Sequence, residues 1–170
     1  MRLFIAINFS PQTRSKIALV QNNLKAKSIK GNFTRIENIH LTLAFLGEIE
    51  PLEVENLINI MKTIKFDPFE LEIDELGTFG RALWYCSVKQ SHPLKTLQSN
   101  LNKLLKDNNF PTDDRPYKPH ITIARNLILN DQIFKPFELI KERVTALSLM
   151  ESIRINGKLT YIELFNLASC

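Results

Sequence analysis

Two near-identical tetrads, His40-Leu41-Thr42-Leu43 and His120-Ile121-Thr122-Ile123, each followed by Ala, use two of the three histidines in the chain. In an extended strand successive side chains point to opposite faces, so His and Thr share one face and the aliphatic residues take the other. Two such strands side by side would place two titratable imidazoles and two hydroxyls around one cavity. That equipment suits acid/base chemistry on a phosphate. One His-x-Thr alone would be weak evidence, because a histidine on a half-buried strand is more often structural; the repeat favours function. Arg125 follows His120 by five, at odd parity, so a regular strand would turn it away from the His face. Only a bulge or a strand end would let it reach a phosphate. The third histidine, His92, precedes Pro93 at a helix start and reads as a capping or surface residue.

Other chemistries lack their signatures. Zinc takes three or four protein ligands, and the chain has neither HExxH nor CxxC, nor a carboxylate matched to both tetrads. No phosphate loop, GxGxxG or GxSxG occurs. The expectation is a site without metal, ATP or dinucleotide, and no cofactor.

The elements that position the tetrads must come from 170 residues with 44% apolar content, enough for one two-lobed domain over 1–170. Lys and Arg exceed Asp and Glu by 22 to 18, a net charge of +4 that permits an anionic ligand. Two cysteines, Cys86 and Cys170, give no disulfide framework, which points to a reducing cytoplasm. The apolar stretch 3–7 is too short for a signal-peptide core, and no segment reaches membrane-spanning length, so a soluble protein is expected.

The opening 2–9 reads as a strand, and Ser10-Pro11 supplies an N-cap and a first-turn proline for a helix to about Lys27, with Ile17, Val20 and Leu24 on its apolar stripe. The His40 strand should end near Gly47, and Pro51 opens a helix carrying Val54, Leu57, Ile58 and Met61. Strands are expected over 69–74 and 83–88 around a Gly77-Thr78-Phe79-Gly80 turn. Ser91 and Pro93 open a third helix, with Leu94, Leu97, Leu101, Leu104 and Leu105 buried, ending near Asn108. Pro111, Pro116 and Pro119 keep the approach to His120 extended. Asn156-Gly157, between apolar runs over 148–155 and 159–167, signals a two-residue hairpin turn. The class is α+β, with an internal duplication in which each half gives one tetrad strand.

With both tetrads and their flanks in hand, the chain resembles the 2H phosphoesterase superfamily, in its RNA 2′,3′-cyclic phosphodiesterase or 2′-5′ RNA ligase branch. The resemblance rests on Arg2-Leu3-Phe4-Ile5-Ala6-Ile7, on Glu37-Asn38-Ile39-His40-Leu41-Thr42-Leu43 with Phe45-Leu46-Gly47, and on Leu76-Gly77-Thr78-Phe79-Gly80-Arg81. It continues through Arg115-Pro116-Tyr117-Lys118-Pro119-His120-Ile121-Thr122-Ile123-Ala124-Arg125 to Glu151-Ser152. It implies a bilobal α+β fold, two pseudo-symmetric lobes with antiparallel sheets lining a central cleft and helices outside. It also implies His40 as proton donor, His120 as proton acceptor, and Thr42, Thr122 and Arg125 as phosphate ligands. Phe33-Thr34 stands where relatives often place Trp. The activity implied is hydrolysis of RNA 2′,3′-cyclic phosphate ends to 2′-phosphomonoesters, with reverse 2′-5′ ligation, by a cytoplasmic monomer whose partner is RNA. The alternatives are a phosphodiesterase acting on a small cyclic nucleotide or ADP-ribose cyclic phosphate, and a non-catalytic RNA-binding module.

Overall fold

The computed structural model describes residues 1–80, 82–130 and 137–170. Arg81, part of the motif quoted above, lies outside the described residues. Strand β1 (Arg2–Asn8) buries five consecutive residues, as a strand covered on both faces must. It ends where Ser10 Oγ accepts the Thr13 amide (3.3 Å) and caps α1 (Pro11–Ala26), which buries Ile17, Val20 and Leu24. Strand β2 (Ser28–Phe33) precedes β3 (His40–Glu48), the first tetrad strand. A 3-10 turn at Pro51–Glu53 leads into α2 (Val54–Met61). Then come β4 (Phe69–Phe79), β5 (Leu83–Val88) and α3 (His92–Asp107), whose cap is Ser91. The second tetrad opens β6 (His120–Leu129), followed by β7 (Ile140–Val144), β8 (Ala146–Ile155) and β9 (Lys158–Ala168).

The strands form two antiparallel sheets, ordered β3-β1-β8-β9 and β2-β6-β5-β4-β7. Without the edge strand β2, the second order has the form of the first. Each tetrad strand pairs with the strand that feeds a long helix: β3 with β1 before α1, and β6 with β5 before α3. Even the register corresponds, since His40 opposes Asn8 at the end of β1 and His120 opposes Ser87 near the end of β5. The duplication expected from the tetrads is thus a duplication of strand, helix and tetrad strand.

Three expectations change. The turn at 77–80 is tighter than its glycines suggest, because β4 runs on through Gly77 to Phe79 and only Gly80, at φ +58°, takes the left-handed conformation. Gly77 serves close packing instead: a Cβ there would lie 2.4 Å from Tyr85 Cζ. Strands β2 and β7 went unforeseen; each is five or six residues long and rich in charge, glycine or asparagine, and neighbouring strands supply their hydrogen bonds. The second helix begins at Val54, after the 3-10 turn. Asn156 and Gly157 behave as read, both at positive φ between β8 and β9.

One apolar cluster joins both sheets to the helices, running through Leu3, Ile5 and Ile7 of β1, Leu41 and Leu43 of β3, Ile121 and Ile123 of β6 and the leucines of α3. A one-residue slip of either tetrad strand would turn its aliphatic residues out and its imidazole and hydroxyl into this core. Each aliphatic side chain so exposed forfeits roughly 1.5–3 kcal/mol, so the core itself fixes which face carries His and Thr. At the junction of the halves, buried Glu142 of β7 accepts from Ser10 N (3.1 Å) and Ser10 Oγ (2.8 Å).

Candidate active site

Both histidines are held in the same way. The Nδ1 of His40 lies 2.7 Å from the Asn38 carbonyl, and that of His120 lies 2.7 Å from the Lys118 carbonyl. A carbonyl only accepts, so Nδ1 carries the proton in both rings and Nε2 is left for chemistry. In the neutral His40 ring, Nε2 accepts from the Thr42 hydroxyl at 2.9 Å, the bond that the i, i+2 spacing of the tetrad makes possible. Each imidazole also packs against a pair of aromatic rings that touch each other. Phe4 (4.9 Å) and Tyr161 (5.2 Å) meet the His40 ring, while Phe79 (4.9 Å) and Tyr85 (5.6 Å) meet that of His120. The Lys118 ammonium stands over the Phe79 and Tyr85 rings, adding positive charge on the His120 side.

The two tetrad strands lie close together, near enough for the charge of His120 to act on His40. Tyr117, in the proline-rich approach to β6, donates its hydroxyl to the Thr42 carbonyl (3.0 Å). Burial pushes the His40 pKa below its ordinary value, and the charges of Arg14 and of His120 push the same way against the Asn38 hydrogen bond. His92 stands apart, exposed at the first turn of α3.

Arg125 reaches the His face through a bulge. Along β6, Tyr85 opposes Thr122 but Trp84 opposes Ala124, so Ile123 is an extra residue and the parity resets after it. Ile123 and Ala124 are both fully buried and Arg125 emerges exposed. Its charge acts on the phenol of Tyr161, in the opposite sheet, whose pKa burial raises and Arg125 and Arg2 pull back. Strand β3 has the same bulge at the same place, at Leu43, which brings Phe45 to the position corresponding to Arg125. Phe45 is 47% exposed and lies under the Arg2 guanidinium, 5.2 Å from its ring centre.

Two glutamines pin these bulges, and the sequence reading missed both. Gln21, buried on α1, donates from Nε2 to the carbonyls of Ile123 and Thr34 (2.8 Å each), and Gln98 on α3 reaches the Leu43 carbonyl (3.4 Å). The available signal was a polar residue on the apolar stripe of each helix. Gln21→Met should take the donor from the part-buried Thr34 carbonyl and leave the buried Ile123 carbonyl with the Thr34 amide alone, destabilising the protein by about 1–3 kcal/mol. Urea titration checks this; an unchanged midpoint would show that the bulge does not need its pin.

Two antiparallel sheets that each turn a His-x-Thr strand toward a shared cleft define the class: a two-histidine, or 2H, phosphoesterase. The family model described as LigT like Phosphoesterase matches residues 7–85. The RNA 2′,3′-cyclic phosphodiesterase of Methanocaldococcus jannaschii is 30% identical over 130 residues, covering 74% of this chain and 71% of that protein. The enzyme of the same name from Geobacillus stearothermophilus is 32% identical over 129 residues; the match spans 72% of this chain and 41% of that longer protein. Among solved structures, LigT of Escherichia coli complexed with 3′-AMP superposes with a TM-score of 0.87 at 26% identity, covering 99% of this chain and 97% of that one. The chain belongs to the RNA 2′,3′-cyclic phosphodiesterase family of 2H phosphoesterases.

Proposed function

We propose that this protein hydrolyses the 2′,3′-cyclic phosphate at an RNA end to a 2′-phosphomonoester, without a metal or other cofactor. The observation that carries the reading is the pair of imidazoles, each fixed through Nδ1 on a backbone carbonyl and each leaving Nε2 for a proton. His120 takes the proton of a water whose oxygen attacks phosphorus in line, the bond from phosphorus to the 3′ oxygen breaks, and His40 gives that oxygen its proton. Thr42, Thr122 and Arg125 meet the charge that grows on the phosphoryl oxygens. With a ribose 5′-hydroxyl in place of water, the same displacement forms a 2′-5′ linkage. The relatives named for this activity and the neighbour complexed with 3′-AMP support a nucleotide substrate.

The reading takes residues 1–170 as one two-lobed unit, in keeping with the apolar cluster common to both sheets. It includes a monomer working in the cytoplasm on RNA. Among the described residues no helix is long and apolar enough to cross a membrane, and no three His, Cys, Asp or Glu residues gather as a metal site. Turnover of an oligonucleotide ending in a 2′,3′-cyclic phosphate should therefore persist in excess chelator. Loss on chelation, restored by zinc or manganese, would contradict the two-histidine mechanism.

The lowered pKa of His40 has a direction that can be tested. In the free protein, the imidazole should titrate below 6.5 and be neutral at pH 7. An anionic phosphate bound against it favours the imidazolium, so the substrate itself loads the acid. Titration of the His40 ring by NMR should give a midpoint below 6.5 that rises when a 2′-nucleotide is added. A midpoint above 6.5 in the free protein would refute this. Because the folded ring binds its proton less well than the unfolded one, the same group stabilises the fold above pH 6.5, and that contribution is lost as pH falls through the lowered pKa.

A further inference from the structure

The two lobes differ at one matched position. The bulges at Ile123 and Leu43 bring Arg125 on β6 and Phe45 on β3 to corresponding places, so the second lobe carries a cation where the first carries a ring. The first lobe recovers the charge from the neighbouring strand, because the Arg2 guanidinium lies over the Phe45 ring. Both irregularities between β1 and β3 add their extra residue to β3, at Leu43 and Leu46, so β1 keeps the parity of a regular strand. Arg2 therefore shares a face with Phe4, Ala6 and Asn8, and the Phe4 ring meets that of His40. The guanidinium stands on the cleft side of its sheet.

Among the described residues no hydrogen bond or ion pair engages this guanidinium. Glu48, its cross-strand partner, lies 3.6 Å from the Met1 ammonium instead. Arg2 is exposed, and a ring beneath it restrains the group without consuming a donor. Its charge also reaches the site. Arg2 from the first sheet and Arg125 from the second both pull down the pKa of the Tyr161 phenol, which burial raises, and the Tyr161 ring is 5.2 Å from that of His40. The two arginines converge on the ring beside His40 from opposite lobes.

In the in-line displacement, water and the departing 3′ oxygen stand on opposite sides of phosphorus, with His120 on the water side and His40 on the other. The 3′ oxygen stays on its ribose, so the sugar lies on the His40 side, against the first sheet. The 5′ carbon of that sugar carries the next phosphodiester of the chain, a negative charge that a lone cyclic nucleotide with a free 5′-hydroxyl lacks. We propose that Arg2, braced on Phe45, holds this phosphodiester, so that the site prefers the end of an RNA chain to a lone cyclic nucleotide. The inference rests on the cyclic phosphodiesterase reading given above and on its assignment of His40 to the 3′ oxygen.

The test uses two dinucleotides that end in a 2′,3′-cyclic phosphate, alike except that the link between the nucleotides is a phosphodiester in one and an uncharged methylphosphonate in the other. A 2′-deoxy first sugar keeps the link intact in both. For the wild type, kcat/KM should favour the phosphodiester by about 10- to 100-fold, the effect of one charge-assisted hydrogen bond. In Arg2→Gln that preference should vanish, the phosphodiester falling to the level of the methylphosphonate. An equal fall on both substrates would make Arg2 structural, and a preference that survives in Arg2→Gln would put the contact elsewhere; either overturns the proposal. Equal wild-type rates would overturn it while leaving the phosphodiesterase reading intact, and no turnover of either substrate would overturn both. Should Arg2→Gln fail to fold, Arg2→Lys decides. An ammonium cannot make the paired bonds of a guanidinium, so the preference should fall several-fold, and an undiminished preference would overturn the proposal.

Discussion

His120→Ala should lower turnover of a 2′,3′-cyclic-phosphate RNA by about 10²–10⁴-fold, the range over which a positioned proton-transfer group contributes. His40→Ala should lose as much, because the two rings perform opposite halves of one proton exchange. A substrate whose 3′ oxygen is replaced by sulfur separates them. A thiolate leaves with little help from an acid, so this substrate should restore much of the rate to His40→Ala and little to His120→Ala. Rescue of His120→Ala instead would exchange the assignments. Substantial activity in the double variant would remove both histidines from the chemistry.

Thr42→Ala and Thr122→Ala should each raise the barrier by about 2–4 kcal/mol, the effect of removing one preorganised donor from a developing oxyanion. Both side chains are only partly buried on the cleft face, so the fold should survive. The two variants should also differ. Thr42 bonds His40 Nε2 at 2.9 Å, so its loss removes a partner of the neutral ring and should shift the His40 titration upward as well as slow the reaction. Wild-type rates in a folded double Thr variant, measured by steady-state kinetics with circular dichroism as the check on folding, would end the phosphate-binding role.

The tetrads made the centre of the site legible because a strand has a period of two, and that period alone puts His and Thr on one face with Leu or Ile beneath. The long helices were legible for similar reasons: Ser10-Pro11 and Ser91 with Pro93 are starts whose chemistry is local. Arg125 was not, since parity argued against it and only the extra residue at Ile123 reverses the argument. Nothing local marks that bulge, because the groups that hold it, Gln21 and Thr34, come from about 100 and 90 residues earlier in the chain. The same holds for the rings around the imidazoles. Tyr161 reaches His40 only because β9 joins the sheet through β8, a pairing of distant segments. Gly77 shows the opposite failure, a residue that signals a turn by composition but is needed for its missing Cβ against Tyr85.

The most direct measurement is the identity of the product. An RNA oligonucleotide ending in a 2′,3′-cyclic phosphate, incubated with the protein in water enriched in oxygen-18, should give a 2′-phosphomonoester carrying one heavy oxygen, with the 3′-hydroxyl released. A 3′-phosphomonoester would mean that the 2′ oxygen departs and that His40 faces the wrong leaving group. An unchanged cyclic end, with the protein shown to be folded, would contradict the account at its centre.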